Sequence, residues 1–301
     1  MLIPPGFGDR SIMTKLGRMV YYTAQGEPWP TESGSREKLV FLHGLGGGSS
    51  AYEWSKVYPA FAADYEILAP DLIGWGRSNH PARNYQAEDY IALITEFIEQ
   101  TCDRPVTVIA SALTAAFTIR AAIYRPELFK SLILTTAAGL AEFGQDYRTS
   151  GPAQIAKTLN VPLLSQLLYT AGVASSFGIR NYLEQRQFSH PDRIYPEIVE
   201  AYLQSAQQPN AEYAAFSFVR GDLCFDLSLY ISQLTVPTAL IWGKGSEFTG
   251  PDVGRRLAEM NPQAIRFFYH SNDVGFTPQL ELPAFTVGLI RKFLPLLEAS
   301  S

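Results

Sequence analysis

The sequence predicts an α/β fold: a mostly parallel sheet flanked by helices, with a helical cap inserted before the last strands. Two blocks of the chain alternate short apolar runs with segments of helical spacing, the pattern of strands joined by crossover helices. Between them, roughly residues 141–217 carry helix-like segments but no clear strand. Hydrophobic residues make up 47% of the 301 and charged residues 18%, enough apolar material for a large core.

In chain order, Ser11–Leu16 and Arg18–Thr23 read as two strands around Gly17, a hairpin. Glu27–Lys38 is rich in Pro, Ser and Gly and reads as a loop. Lys38–Leu42 is a buried strand ending at His43-Gly44, Ala51–Ala63 is expected to be helical, and Tyr65–Ala69 is a strand ending at Pro70-Asp71. Tyr90, Leu93, Ile94, Phe97 and Ile98 give Tyr85–Thr101 a helical period. Val106–Ala110 is a strand, Leu113–Tyr124 a helix and Lys130–Thr135 a strand. Leu159–Thr170, Phe177–Gln187, Ile194–Ser205 and Ala211–Val219 are the helices expected in the cap. The strand–helix rhythm returns with Pro237–Trp242, Val253–Met260, Ala264–Tyr269 and Ala284–Leu297, the last opened by Pro283, whose missing N–H costs little there. The expected division is a core of residues 1–140 and 218–301 with a cap at 141–217.

A net charge of −5 and a pI near 5.5 argue against nucleic acid or an anionic membrane as partner, since either calls for a basic face. Cys102 and Cys224 lie far apart with no Cys-x-x-Cys, so two free thiols are expected rather than a disulfide framework or a metal site. The first residues lack a basic stretch followed by an apolar run, and no apolar stretch approaches the ~18–20 residues of a spanning helix. The expectation is a cytoplasmic protein that does not span a membrane and carries no cofactor and no metal.

Four motifs fall in order. His43-Gly44-Leu45-Gly46-Gly47-Gly48 and Asp71-Leu72-Ile73-Gly74-Trp75-Gly76-Arg77-Ser78 each follow a strand. Ala110-Ser111-Ala112-Leu113-Thr114 crosses from strand to helix, and Pro278-Gln279-Leu280-Glu281-Leu282-Pro283 precedes the last helix. Together they resemble the α/β-hydrolase family, in particular its cap-bearing, epoxide-hydrolase-like and esterase-like branch. The resemblance covers roughly residues 12–140 and 235–295; the cap matches only in length and helical character.

The resemblance implies an α/β-hydrolase fold with a nucleophile on a tight strand–helix turn between small neighbours. That position is Ala112, which has no oxygen or sulfur to form a covalent intermediate. The family's acid falls on Ser246 and its base on Phe276. Candidates for rescue are Ser111, whose flanks Ile109 and Leu113 are bulky for such a turn, Glu247, one residue past the acid position, and His270, six residues before the base position. The resemblance also implies an oxyanion hole formed by the backbone N–H groups of Leu45 and Leu113, which survives any change of side chain. His43, Gly44, Trp75, Phe143 and Phe248 are expected around the pocket with Leu45, Leu113 and Phe276, and Asp71 is expected to brace its turn.

Losing such a nucleophile costs on the order of 10⁶ in turnover in a serine protease. The expected function is therefore a catalytically degenerate member that binds a small hydrophobic molecule or a protein partner. The alternatives are an enzyme that needs no nucleophile, of lyase or cofactor-free oxygenase type, with Asp71, Ser111, His43 and His270 as its candidate groups, or a residual esterase-like hydrolase.

Overall fold

A computed structural model describes residues 3–30, 36–158, 169–244 and 249–299. The expected hairpin is present but longer: β1 (Phe7–Thr14) pairs antiparallel with β2 (Gly17–Ala24). Gly17 holds φ 121°, a conformation closed to other side chains, so the turn closes there. β3 (Lys38–Leu42), β4 (Glu66–Pro70), β5 (Val106–Ser111), β6 (Phe129–Thr135), β7 (Thr238–Trp242) and β8 (Ile265–His270) follow. They form one eight-stranded sheet in the order β1-β2-β4-β3-β5-β6-β7-β8, parallel from β4 to β8.

β5 is buried along its whole length, as an apolar strand covered on both faces must be. Its alternate residues serve opposite layers: Val106, Val108 and Ala110 join one core cluster and Ile109 the other. On the first face lie α1 (Ala87–Thr101) and α2 (Ala112–Tyr124).

Ala51–Ala63, expected as one helix, is instead two 3-10 turns, Ala51–Trp54 and Tyr58–Phe61. Two groups break it. The Asp71 carboxylate takes the Ala51 N–H at 2.8 Å, and Pro59 has no N–H to continue a helical ladder.

Between β6 and β7 the described chain is helical: α3 (Gly151–Thr158), α4 (Ser176–Tyr182) continued by a wider turn at Leu183–Gln187, α5 (Pro196–Ala206) and α6 (Ala211–Val219). Most of the expected helix at 159–170 lies outside the described residues. α5 rests on the glycine turn after β3. The Ser205 hydroxyl donates to Ser49 O and accepts from Gly76 N, both at 3.0 Å, and a Cβ on Gly48 would stand 2.4 Å from Tyr202 O. After β7 come α7 (Pro251–Met260), a single turn α8 (Pro278–Glu281) and α9 (Pro283–Glu298). Leu289, Ile290, Phe293, Leu294 and Leu297 of α9 pack on the second face of the sheet. Among the described residues no helix is long and apolar enough to cross a membrane.

The strand order positions the site. From β3 the chain goes to β4 on one side and to β5 on the other, and crevices form at the carboxyl ends of strands where direction switches in this way. The His43-Gly44-Leu45 turn leaves β3 and Ala112 leaves β5, two strands in direct register at Leu42 and Ala110.

Candidate functional site

At the end of β5 the backbone turns sharply, and Ala112 takes φ 55°. A left-handed conformation costs a residue with a Cβ about 1–2 kcal/mol. The strain points the Ala112 methyl at the turn after β3: a Cβ placed on Gly44 would lie 3.5 Å from Ala112 Cβ and 3.4 Å from Glu53 Oε2. Gly44, Leu45, Glu53, Ala112, Leu113, Gln187, Phe276 and Thr277 line one cavity of about 10 Å³, together with Leu140, Tyr182 and Phe218. That is room for a single water-sized group. Tyr182 and Phe218 also line a second cavity, of about 400 Å³ and mainly apolar, between α4, α6 and the glycine turn.

Of the residues singled out in the sequence, Gly44, Leu45, Ala112, Leu113 and Phe276 meet at the small cavity. Phe276 is held by its backbone, its N–H donating to Gln187 O at 2.8 Å and its carbonyl accepting from Thr136 Oγ1 at 3.1 Å. Among the described residues, the Leu45 and Leu113 N–H groups donate to no protein acceptor. Ser246, Glu247 and Phe248 lie outside the described residues.

The remaining candidates sit elsewhere. Ser111 is fully buried, accepts from Gln279 Nε2 at 2.9 Å and does not line the cavity. His270 ends β8 opposite Trp242, away from the cavity, with a buried Nε2 that has no described partner. His43 lies behind the cavity wall as a neutral ring. Its Nε2 accepts the Leu72 N–H at 3.0 Å, so the proton is on Nδ1, 2.6 Å from Gly44 O. Burial lowers its pKa to about 4. Trp75 and Phe143 line neither of these two cavities. Gly74, at φ 88°, turns the Trp75 indole toward α1, where its N–H donates to Tyr90 at 2.8 Å. Phe143 lies under the Arg256 guanidinium of α7, 3.7 Å from the ring centroid.

Asp71 is buried and braces its turn. It accepts from Ala51 N and Arg77 N at 2.8 Å and from the Tyr22 hydroxyl at 3.1 Å. Burial raises its pKa to about 6 despite those donors.

Sequence reasoning missed Glu53, Gln187 and Thr277. Glu53 is 1% exposed and lines the cavity, accepting from Gly44 N at 2.9 Å and from the Tyr202 hydroxyl of α5 at 3.0 Å. Burial pushes its pKa up, opposed by the hydrogen bonds it accepts. Its signal was a lone acid among Ala51, Tyr52 and Trp54, directly after the glycine turn. Gln187 Oε1 and Thr277 Oγ1 are buried without a protein partner. Neither carried a local signal. Among the described residues no group of three or more His, Cys, Asp or Glu could hold a metal ion.

A family model described as "Alpha/beta hydrolase family" matches residues 39–276. "Uncharacterized hydrolase YugF" of Bacillus subtilis is 25% identical over 255 residues, 83% of this chain and 86% of that protein. The "2-hydroxy-6-oxo-6-(2'-aminophenyl)hexa-2,4-dienoic acid hydrolase" of Metapseudomonas resinovorans is 28% identical over 120 residues, 39% of this chain and 41% of that relative's length. Among solved structures, the Cif epoxide hydrolase of Acinetobacter nosocomialis superposes with a TM-score of 0.77 over 97% of this chain and 90% of that one, at 14% identity, a likeness of fold.

Proposed function

The chain belongs to the alpha/beta hydrolase family, and on that footing we propose that it is a non-hydrolytic member that binds a small hydrophobic molecule beneath its helical cap. The observation that carries this reading is Ala112. It keeps the strained turn, with φ 55° and its methyl facing the cavity, and brings no nucleophilic atom to it. Phe276 across the same cavity supports the reading, since a phenyl ring cannot shuttle a proton. Ser111, held by Gln279 behind the turn, is no substitute nucleophile. Relatives are named as hydrolases, and the side chains of Ala112 and Phe276 supply neither a nucleophile nor a proton shuttle for that chemistry. The 400 Å³ cavity lies within the range of small-ligand pockets and is lined mainly by apolar side chains, which favours a ligand over a docked protein.

Intact-mass spectrometry after exposure to a reactive fluorophosphonate tests this. The native chain is expected to stay unmodified. The Ala112→Ser/Phe276→His double variant, run beside it, reports whether the cavity admits the reagent. A stoichiometric adduct on the native protein would overturn the reading.

A further inference from the structure

The sheet ends on two edges of opposite character. β1 is guarded. Asp9 and Arg10 place charge on it, and side chains of the same chain take two of its carbonyls: Gln25 Nε2 donates to Asp9 O at 3.2 Å and Gln100 Nε2 to Met13 O at 3.0 Å. Charge and capping of this kind keep an edge from pairing with another strand. β8 has neither. Ile265–His270 reads Ile-Arg-Phe-Phe-Tyr-His, with no proline and one charge, Arg266, set where the register against β7 shifts.

The phase of β8 is fixed at its end. Ser271 N donates to Trp242 O at 3.0 Å, and Trp242 is the register partner of His270. Tyr269 and Ser271 therefore turn their main-chain groups to β7, and by alternation Phe268 and His270 turn theirs outward. Among the described residues nothing bonds to those outward N–H and C=O groups. The rings beside them are half-buried. Phe267 and Tyr269 lean on Phe293 and Phe285 of α9, with centroids 5.5 and 5.9 Å apart, and Phe268 leans on Trp242 at 6.4 Å.

A second copy of this strand matches what the edge offers. Set antiparallel about a two-fold axis through Tyr269, Phe268 of each copy faces His270 of the other. Each such pair exchanges both of its N–H···O bonds. The two Tyr269 side chains become a directly opposed cross-strand pair. The contact uses the same patch on both copies, so it closes at two. The geometry points to a homodimer joined edge to edge through β8, with one continuous sheet running through both copies. The edge lines neither cavity, so this inference does not depend on what the cavities bind.

Sedimentation equilibrium of the full chain over a concentration series tests it. A species of twice the 33.4 kDa chain mass is expected. His270→Pro removes an N–H that faces outward and none that serves β7, and is expected to weaken dimerisation at least about tenfold. Tyr269→Cys is expected to link the two copies through a disulfide under mild oxidation, because residues opposed in this way lie about 4.5 Å apart at Cα, within disulfide reach. The native chain, with Cys102 half-buried and Cys224 buried, is expected to stay unlinked under the same treatment. A monomer at every concentration would overturn the proposal, as would a dimer that His270→Pro leaves intact or one that Tyr269→Cys fails to link. If His270→Pro does not fold, the cross-link decides.

Discussion

Gln279 Nε2 donates to the Ser111 hydroxyl at 2.9 Å, directly beneath the strained Ala112. Thr135 donates in turn to Gln279 Oε1 at 3.4 Å, so the side chain of the motif before the last helix is threaded into the strand–helix turn. Ser111→Ala removes the acceptor from a fully buried amide. The expected cost is about 1–3 kcal/mol, read as a lower urea midpoint with an unchanged slope. A serine that merely filled space would give no such change.

Ala112 carries the opposite sign. Its φ of 55° is unfavourable for alanine and neutral for glycine. Ala112→Gly is expected to stabilise the protein by up to about 1 kcal/mol, and Ala112→Val, with a branched Cβ, to destabilise it by more than that. Thermal midpoints of the two variants should straddle the native value.

His43 and Asp71 act on stability in opposite directions across the same pH range. The Asp71 pKa is raised to about 6 by burial, so its contribution is complete below its ordinary pKa of 3.8 and is lost as pH rises through 6. The His43 pKa is lowered to about 4, so its contribution is present above 6.5 and is lost as pH falls through 4, where protonating Nε2 would break the bond from Leu72 N–H. Asp71→Asn is expected to make stability climb more steeply between pH 4 and 6.5 than in the native chain. His43→Gln is expected to make it fall relative to the native chain over the same interval. Urea midpoints measured across that range check both slopes.

Glu281 ties residues 189–193 to the loop after β8. Its carboxylate, with a side chain 0% exposed, accepts from the backbone N–H groups of Gly275, Ser189 (3.1 Å) and His190 (2.9 Å) and from Arg193 Nη1 (3.2 Å). Glu281→Ala leaves those donors without their shared acceptor, and breaking a buried charged network of this kind costs about 3–5 kcal/mol. Amide hydrogen exchange should accelerate at 187–193 well before it does along β5.

The sheet was legible because its signals are local. Val106, Val108 and Ile109 place apolar side chains on both faces of β5, as in a central parallel strand, and Gly17 marks the turn of the β1–β2 hairpin. Where a local reading met a long-range contact, it failed. Ala51–Ala63 has a helical look, yet the carboxylate of Asp71, on the far side of β4, takes the N–H that would start the helix. Trp75 and Phe143 look like pocket aromatics in sequence, but the backbone at Gly74 and at Phe143 itself, both with positive φ, sends them to Tyr90 and Arg256.

The site divides in the same way. By itself the sequence determined the order of strands and helices, the turn that holds Ala112 and the residue types at Ala112 and Phe276, because apolar period, glycine turns and side-chain chemistry are properties of a few adjacent residues. Only the tertiary structure decided what surrounds them. Glu53 meets Tyr202 across 149 positions of chain, and Gln187 and Thr277 reach the same cavity from the helical insertion and from the loop after β8. Nothing near any of these residues encodes its partner. Their meeting is set by the packing of the helical segment between β6 and β7 on the sheet.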